Sequence, residues 1–230
     1  MRKVLIVLIV LVVVLVVADR ISVYVAQRKV ANRLAATYSL SSAPAVTIRG
    51  FPFLTQVVAG SYRRVDVAVN TVDQNGVRLQ DLRARLDGVH APLRQLVGNG
   101  PARQITADHA AATALIPFAT VQQRLPAGIR LGSDGGRLRL SGSLGYEGLQ
   151  VPVSAAVSLQ VTRHAIEAVP RNITVGGTLP IPPTLLGSRL AVALPVHELP
   201  MRLQVTGVKV TASGFEVSAS ARGVAFENPG

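Results

Sequence analysis

Apolar residues recur at every second position through most of this chain, a period that strands satisfy and helices do not. The longest run lies between Gly148 and Val161, where Val151, Val153, Ala155, Val157, Leu159 and Val161 share one face. At roughly 3.3 Å per residue, such a strand exceeds about 35 Å. Val46 and Ile48 alternate with Thr47 and Arg49. Between Tyr62 and Asn70, Val65, Val67 and Val69 oppose Arg64, Asp66 and Ala68. Val77 and Leu79 begin a third strand. Its phase slips at Gln80-Asp81 before Leu82, Ala84 and Leu86 resume, which predicts a β-bulge. Leu138 and Leu140 alternate with Arg137 and Arg139 in a segment that ends at Ser143. Further strands are predicted over Ile166–Val175, Ala191–Val196, Met201–Val210 and Phe215–Ala221.

Three segments break the period. Val23, Ala26, Val30, Leu34 and Tyr38 form one stripe at helical spacing, so Ile21–Tyr38 reads as a helix. It suits either a membrane surface or packing on a sheet. Ser39 to Pro44 ends it as a short linker. Asp108 is placed to cap a helix through Ala110, Ala111, Ala114 and Leu115. Pro117 interrupts that helix, and Phe118, Val121 and Leu125 carry it on to Pro126. Pro182-Pro183 opens a short helix over Thr184–Arg189. Long antiparallel strands with a few helices indicate an α+β fold built on a long curved sheet. Hydrophobic residues make up 49% of the chain but aromatic ones only 4%, so one sheet face is almost purely aliphatic. Helices, the sheet itself or a ligand must cover it. A simple filled core and a groove suited to acyl chains both satisfy the pattern.

The N-terminus sets the compartment. Arg2 and Lys3 precede an unbroken apolar run from Val4 to Ala18, the layout of a secretory signal. These fifteen residues make about 22 Å of helix, short of the roughly 30 Å hydrocarbon core. Val16 and Ala18 offer a weak signal-peptidase pattern. Residues 1–20 are therefore a cleaved signal peptide or a retained membrane anchor. Residues 21–230 form a single exported domain, periplasmic or held at the outer face of the plasma membrane. With no cysteine in the chain, disulfides, thiolate metal sites and Cys nucleophiles are excluded.

Lys and Arg outnumber Asp and Glu by 24 to 12, yet charged residues are only 16% of the chain. That is too sparse for a polybasic tail or a dense phosphate-backbone binder. There is no aromatic RNA-binding motif and no basic recognition helix, and an exported protein has little access to nucleic acid. An anionic membrane surface or phospholipid headgroup is the better partner. The search for catalysis is negative. Gly132-Ser133-Asp134-Gly135 and Gly142-Ser143-Leu144-Gly145 lack nucleophile-elbow spacing and read as hairpin turns. Gly98-Asn99-Gly100 completes no dinucleotide fingerprint. His90, His109, His164 and His197 stand apart, with no metal-ligand spacing. No enzyme, metal or cofactor is implied.

The most distinctive segment is Ile48-Arg49-Gly50-Phe51-Pro52-Phe53-Leu54, followed by Gly60-Ser61-Tyr62-Arg63-Arg64. Phe51, Phe53, Leu54, Tyr62 and Phe118 are candidate lipid-contacting residues. Arg49, Arg63 and Arg64 are candidates for the phosphate. The same residues suit a sheet corner pinned against the first helix, with the arginines on a solvated face. The block I-R-G-F-P-F-L-T-Q, the following G-S-Y-R-R-V-D-V and the tail Val208–Ala219 resemble the actinobacterial LmeA family of phospholipid-binding proteins. The resemblance implies binding of anionic phospholipid, including phosphatidylinositol types. It also implies a link to lipomannan elongation and envelope glycan-assembly proteins, and a curved sheet around helices like tubular lipid-binding (TULIP, BPI-like) modules. It carries no catalytic residues. A lipid-binding or lipid-transfer protein is the expectation; an envelope scaffold with a closed core is the alternative.

Overall fold

A computed structural model describes residues 2–74, 77–91, 105–134, 136–146, 149–162, 165–176, 190–195 and 203–225. The first helix, α1, runs without a break from Arg2 to Thr37, so the apolar run and the amphipathic stripe are one rod of about 54 Å. Its first half is exposed on every side. Its second half packs on the sheet: Val23 and Ala26 meet a core of Ile48, Phe53, Tyr62, Leu86 and Val89.

The strands divide into two antiparallel sheets. The first comprises β1 (Ala45–Arg49), β2 (Ser61–Gln74), β3 (Val77–His90), β4 (Thr106–Pro117), β10 (Gln204–Val210) and β11 (Gly214–Ala225). Their order is β1-β2-β3-β4-β11-β10, which brings the C-terminal hairpin beside β4. The second comprises β5 (Ile129–Asp134), β6 (Arg137–Tyr146), β7 (Leu149–Val161), β8 (Ala165–Val175) and β9 (Val192–Pro195), in that order. The fold is α+β, with mostly antiparallel strands and strongly curled sheet, as the period-two pattern predicts. The predicted phase slip is present: Asp81 has φ +49° and the β3–β4 register shifts between Gln80 and Arg83.

Among the described residues two short helices join the strands: α2 (Phe53–Ala59) and α3 (Phe118–Gln122). The sequence pattern did not predict α2, and α3 is much shorter than the helix it suggested. The alanine-rich segment read as a helix from Asp108 is β4, paired to β3 on one side and β11 on the other. Two adjacent strand partners outweigh alanine's modest helix propensity. Only Phe118 to Gln122, beyond Pro117, is helical. Gln122 then ties α3 to β5, donating to the Ile129 carbonyl and accepting from the Leu131 amide. The segments 98–100 and 184–189, and His164 and His197, lie outside the described residues.

The sheets meet through a second cluster. Ile116 and Phe215 from the first, with Val121 of α3, face Leu138, Ile166 and Val192 of the second. A third cluster, with Ile129, Leu140, Val151 and Val153, fills the second sheet's own concavity. Gly142-Ser143-Leu144-Gly145 is not a turn but the middle of β6. Gly142 has φ +148°, and a β-carbon there would sit 1.9 Å from the Gly128 carbonyl oxygen. Both the dihedral and the close approach require glycine. Gly142→Ala is therefore expected to lower unfolding free energy by at least about 1–3 kcal/mol, read as a lower urea midpoint.

Candidate functional site

The end of the molecule where α1 meets the first sheet gathers seven of the eight candidate residues. Gly50 turns the chain at φ +116° after β1, and the Phe51–Pro52 peptide is cis. Pro52 occupies the N-cap of α2 and has no side chain able to cap it. Asp19 of α1 supplies the missing acceptor: its Oδ1 takes the Leu54 amide proton at 2.8 Å. Asp19 is only 2% exposed, and its Oδ2 has no partner. Sequence reasoning placed Asp19 at the margin of the apolar run and gave it no such task. The acceptor is 35 positions away, beyond any local capping pattern.

The candidate aromatics separate by environment. Phe53 and Tyr62 pack on each other at 6.2 Å between ring centres and are buried. They belong to the core rather than an open surface. Phe51 is 55% exposed, with the Arg20 guanidinium stacked 4.8 Å above its ring. Leu54 is exposed beside it. Burial raises the Tyr62 phenol above its ordinary pKa of 10.0, and its hydroxyl makes no hydrogen bond.

Two of the candidate arginines, Arg49 and Arg64, are direct cross-strand neighbours on one face of β1–β3. Asp66 draws Arg49 into an ion pair and has Arg85 at 3.6 Å. Arg64 pairs with Asp87 at 2.6 Å. That hydrogen bond, with the attraction of the carboxylate, raises the Arg64 pKa further above its usual value. Arg63 differs. Its amide donates to Gln56 Oε1 at 3.0 Å, while no carboxylate pairs with its guanidinium among the described residues.

Phe118 stands apart from the other candidates. Thr106 and Ala107 of β4 pair with His90 and Val89 near Tyr62, and Pro117 ends that strand about 33 Å further on. There Phe118 packs edge-on against Phe215 at 5.1 Å. Beside this pair a small apolar crevice lies between the sheets, lined by Ile116, Val121, Leu159, Ile166, Ala168, Val192 and Phe215, with a cavity volume of about 10 Å³. Unfilled room remains for about one water-sized sphere. The two sheets hold it nearly closed. The period of two placed Leu159, Ile166, Val192 and Phe215 on strands, but Ile116 and Val121 read as helix, and no local pattern gives the pairing that brings them together.

The family described as LmeA-like phospholipid-binding matches residues 17–220. The chain belongs to that family. The LmeA-like match spans both sheets and reaches back into α1, so the joint at Asp19 lies within it. Comparison with curated proteins found no match, and comparison with solved structures found none either. That family is a phospholipid-binding family rather than an enzyme family. Among the described residues no three His, Asp or Glu side chains gather at a metal-binding distance.

The joint makes distinct demands on its residues. Phe53→Ala is expected to cost about 3–5 kcal/mol of stability, and Asp19→Ala about 1 kcal/mol through the lost cap, both by denaturant unfolding. Tyr62→Phe is expected to cost little, because the hydroxyl it removes has no partner. The raised Tyr62 pKa means the folded state holds that proton more tightly. Its contribution to stability is thus present below pH 10.0 and lost as pH rises through the higher folded value. Alkaline absorbance titration should show one of the four tyrosines ionising late, and Tyr62→Phe should remove that step.

Proposed function

We propose that this chain is an exported phospholipid-binding protein of the cell envelope, one domain spanning residues 21–230. Its apolar N-terminal segment serves as signal or anchor. It presents or transfers anionic phospholipid, phosphatidylinositol types included, in support of lipomannan or related glycolipid assembly. The LmeA-like family match carries the reading. The apolar helix, long enough to cross a membrane, is compatible with it.

In this reading the acyl chains enter the inter-sheet crevice at Phe118 and Phe215, which widens by parting the second sheet from β4 and β11. Arg63 is the strongest candidate for a phosphate contact, because Asp66 and Asp87 already engage Arg49 and Arg64. The closeness of the sheets favours the second reading, an envelope scaffold with a dry core that binds assembly proteins instead of lipid.

Lipid extraction and mass spectrometry on the purified protein separate the two. Native protein is expected to carry phospholipid, and Ala168→Phe, which fills the crevice wall, to carry less while keeping its circular dichroism. Equal lipid in both would remove the crevice from the account, and none in either would favour the scaffold. Arg63→Gln is expected to weaken the preference for anionic over neutral vesicles, and Arg64→Gln to do so less. Raising salt from 0.1 M to 1 M shortens the screening length from about 10 Å to about 3 Å. That change should weaken native binding to anionic vesicles. Movement of fluorescent phospholipid between donor and acceptor vesicles tests transfer.

A further inference from the structure

We propose that the chain is not cut between Ala18 and Asp19. Residues 2–18 stay as a membrane anchor, and the joint between α1 and α2 rests on the lipid surface from which that anchor emerges. The proposal builds on the reading of export above and adds to it a topology and a contact face.

The Ala18–Asp19 peptide bond lies inside a helix continuous from Arg2 to Thr37. The residue that follows it, Asp19, is 2% exposed and caps α2 through the Leu54 amide. A chain cut here before it folds would carry its new ammonium at that buried position, at a cost in desolvation. It would also lose the helical turns that lead into the joint, whereas the uncut chain brings Asp19 to α2 from within a helix.

The length of the apolar run sets the domain close to the bilayer. Fifteen apolar residues give about 22 Å of span against a core of roughly 30 Å. A short span draws its flanking residues toward the bilayer. Arg2 and Lys3 at one end and Arg20 at the other can bury their stems and keep their charges among headgroups. The folded joint starts at residue 19, so no linker lets the domain stand away from the surface.

The joint also displays apolar side chains. Phe51, Leu54 and Val58 are exposed on the α2 side, with Val58 88% exposed, as are Ile21 and Tyr24 on α1. The Arg20–Phe51 stack and the Asp19–Leu54 hydrogen bond bring the two groups to the end of the apolar rod. Arg20 stacks on Phe51, and Arg28 on Tyr24 at 4.6 Å. Arg20, Tyr24 and Arg28 are four residues apart and share one stripe. Aromatic rings paired with cations suit an anionic interface, where the ring meets acyl carbon and the guanidinium meets phosphate.

The test uses the full chain with a C-terminal tag, expressed in an actinobacterial host. Intact mass is expected to include residues 2–18, and the protein to resist carbonate extraction. A mass starting at Asp19 would overturn retention while leaving export and lipid binding intact. A tag shielded from added protease in spheroplasts, stripped of their outer envelope, would instead overturn export. Because the chain has no cysteine, Val58→Cys and Ser133→Cys each carry a single fluorescent label. Both sites are exposed, on α2 and β5 respectively. In nanodiscs of phosphatidylglycerol and phosphatidylcholine with headgroup-quencher lipid, the Val58 label is expected to be quenched and the Ser133 label not. Equal quenching would overturn the proposed face. Shielding of Val58 that appears only with two copies per disc would assign that face to a second chain.

Discussion

The architecture depends on covering aliphatic sheet. With aromatics so scarce, no large ring system closes the core, and many small contacts must do so. Besides the buried Phe53 and Tyr62, the exception is the edge-on pair of Phe118 and Phe215. It sits where β4 and β11 of the first sheet meet the second, beside Ile116, Ile166 and Val192. Apolar burial is worth about 25 cal/mol per Å², so this seam stabilises both sheets together. In the proposed function it is also where an acyl chain would enter. The same contacts that close the seam would compete with an acyl chain for it.

The other end of the molecule solves a different problem. A helix exposed on every side over its first half must be joined to a folded domain. Asp19 does this by completing a helix that cannot cap itself. Pro52 offers no donor or acceptor side chain, and the seven residues of α2 are too few to be stable alone. Phe53 then sinks onto Tyr62 while Phe51 stays outside under Arg20. One Phe-Pro-Phe block thus yields a core ring and a surface ring. Both uses were open on sequence, and the side of the chain each ring occupies divides them.

Charge follows the same division. The arginines that looked equivalent in sequence are sorted by cross-strand neighbours. Thr47, Asp66 and Arg85 lie opposite one another across β1–β3, as do Arg49, Arg64 and Asp87. Arg49 and Arg64 are therefore committed to carboxylates, whereas Arg63 on the adjacent position is not. Exposed pairs of this kind contribute little to stability. Their main effect is to limit which cations are available to an anionic partner.

Local pattern was enough for most of the strands, though not for β4 or β5. Alternation at Val151 to Val161, the slip at Gln80-Asp81 and the apolar rod at the N-terminus are properties of neighbouring residues, and each appears where it was read. The LmeA-like resemblance was likewise legible in Gly50 to Leu54. Pattern failed where the deciding partner is remote. The alanines of β4 favour a helix when taken alone and become strand because β3 and β11 hydrogen-bond to both edges. The helix α2 exists because an acceptor arrives from α1. The separation of Phe118 from Phe51 and Phe53 follows from the length of β4. Sequence by itself determined the period, the fold class and the family. Tertiary structure alone decided which side chains share a site, because long-range pairing and burial are not encoded in any short window of chain.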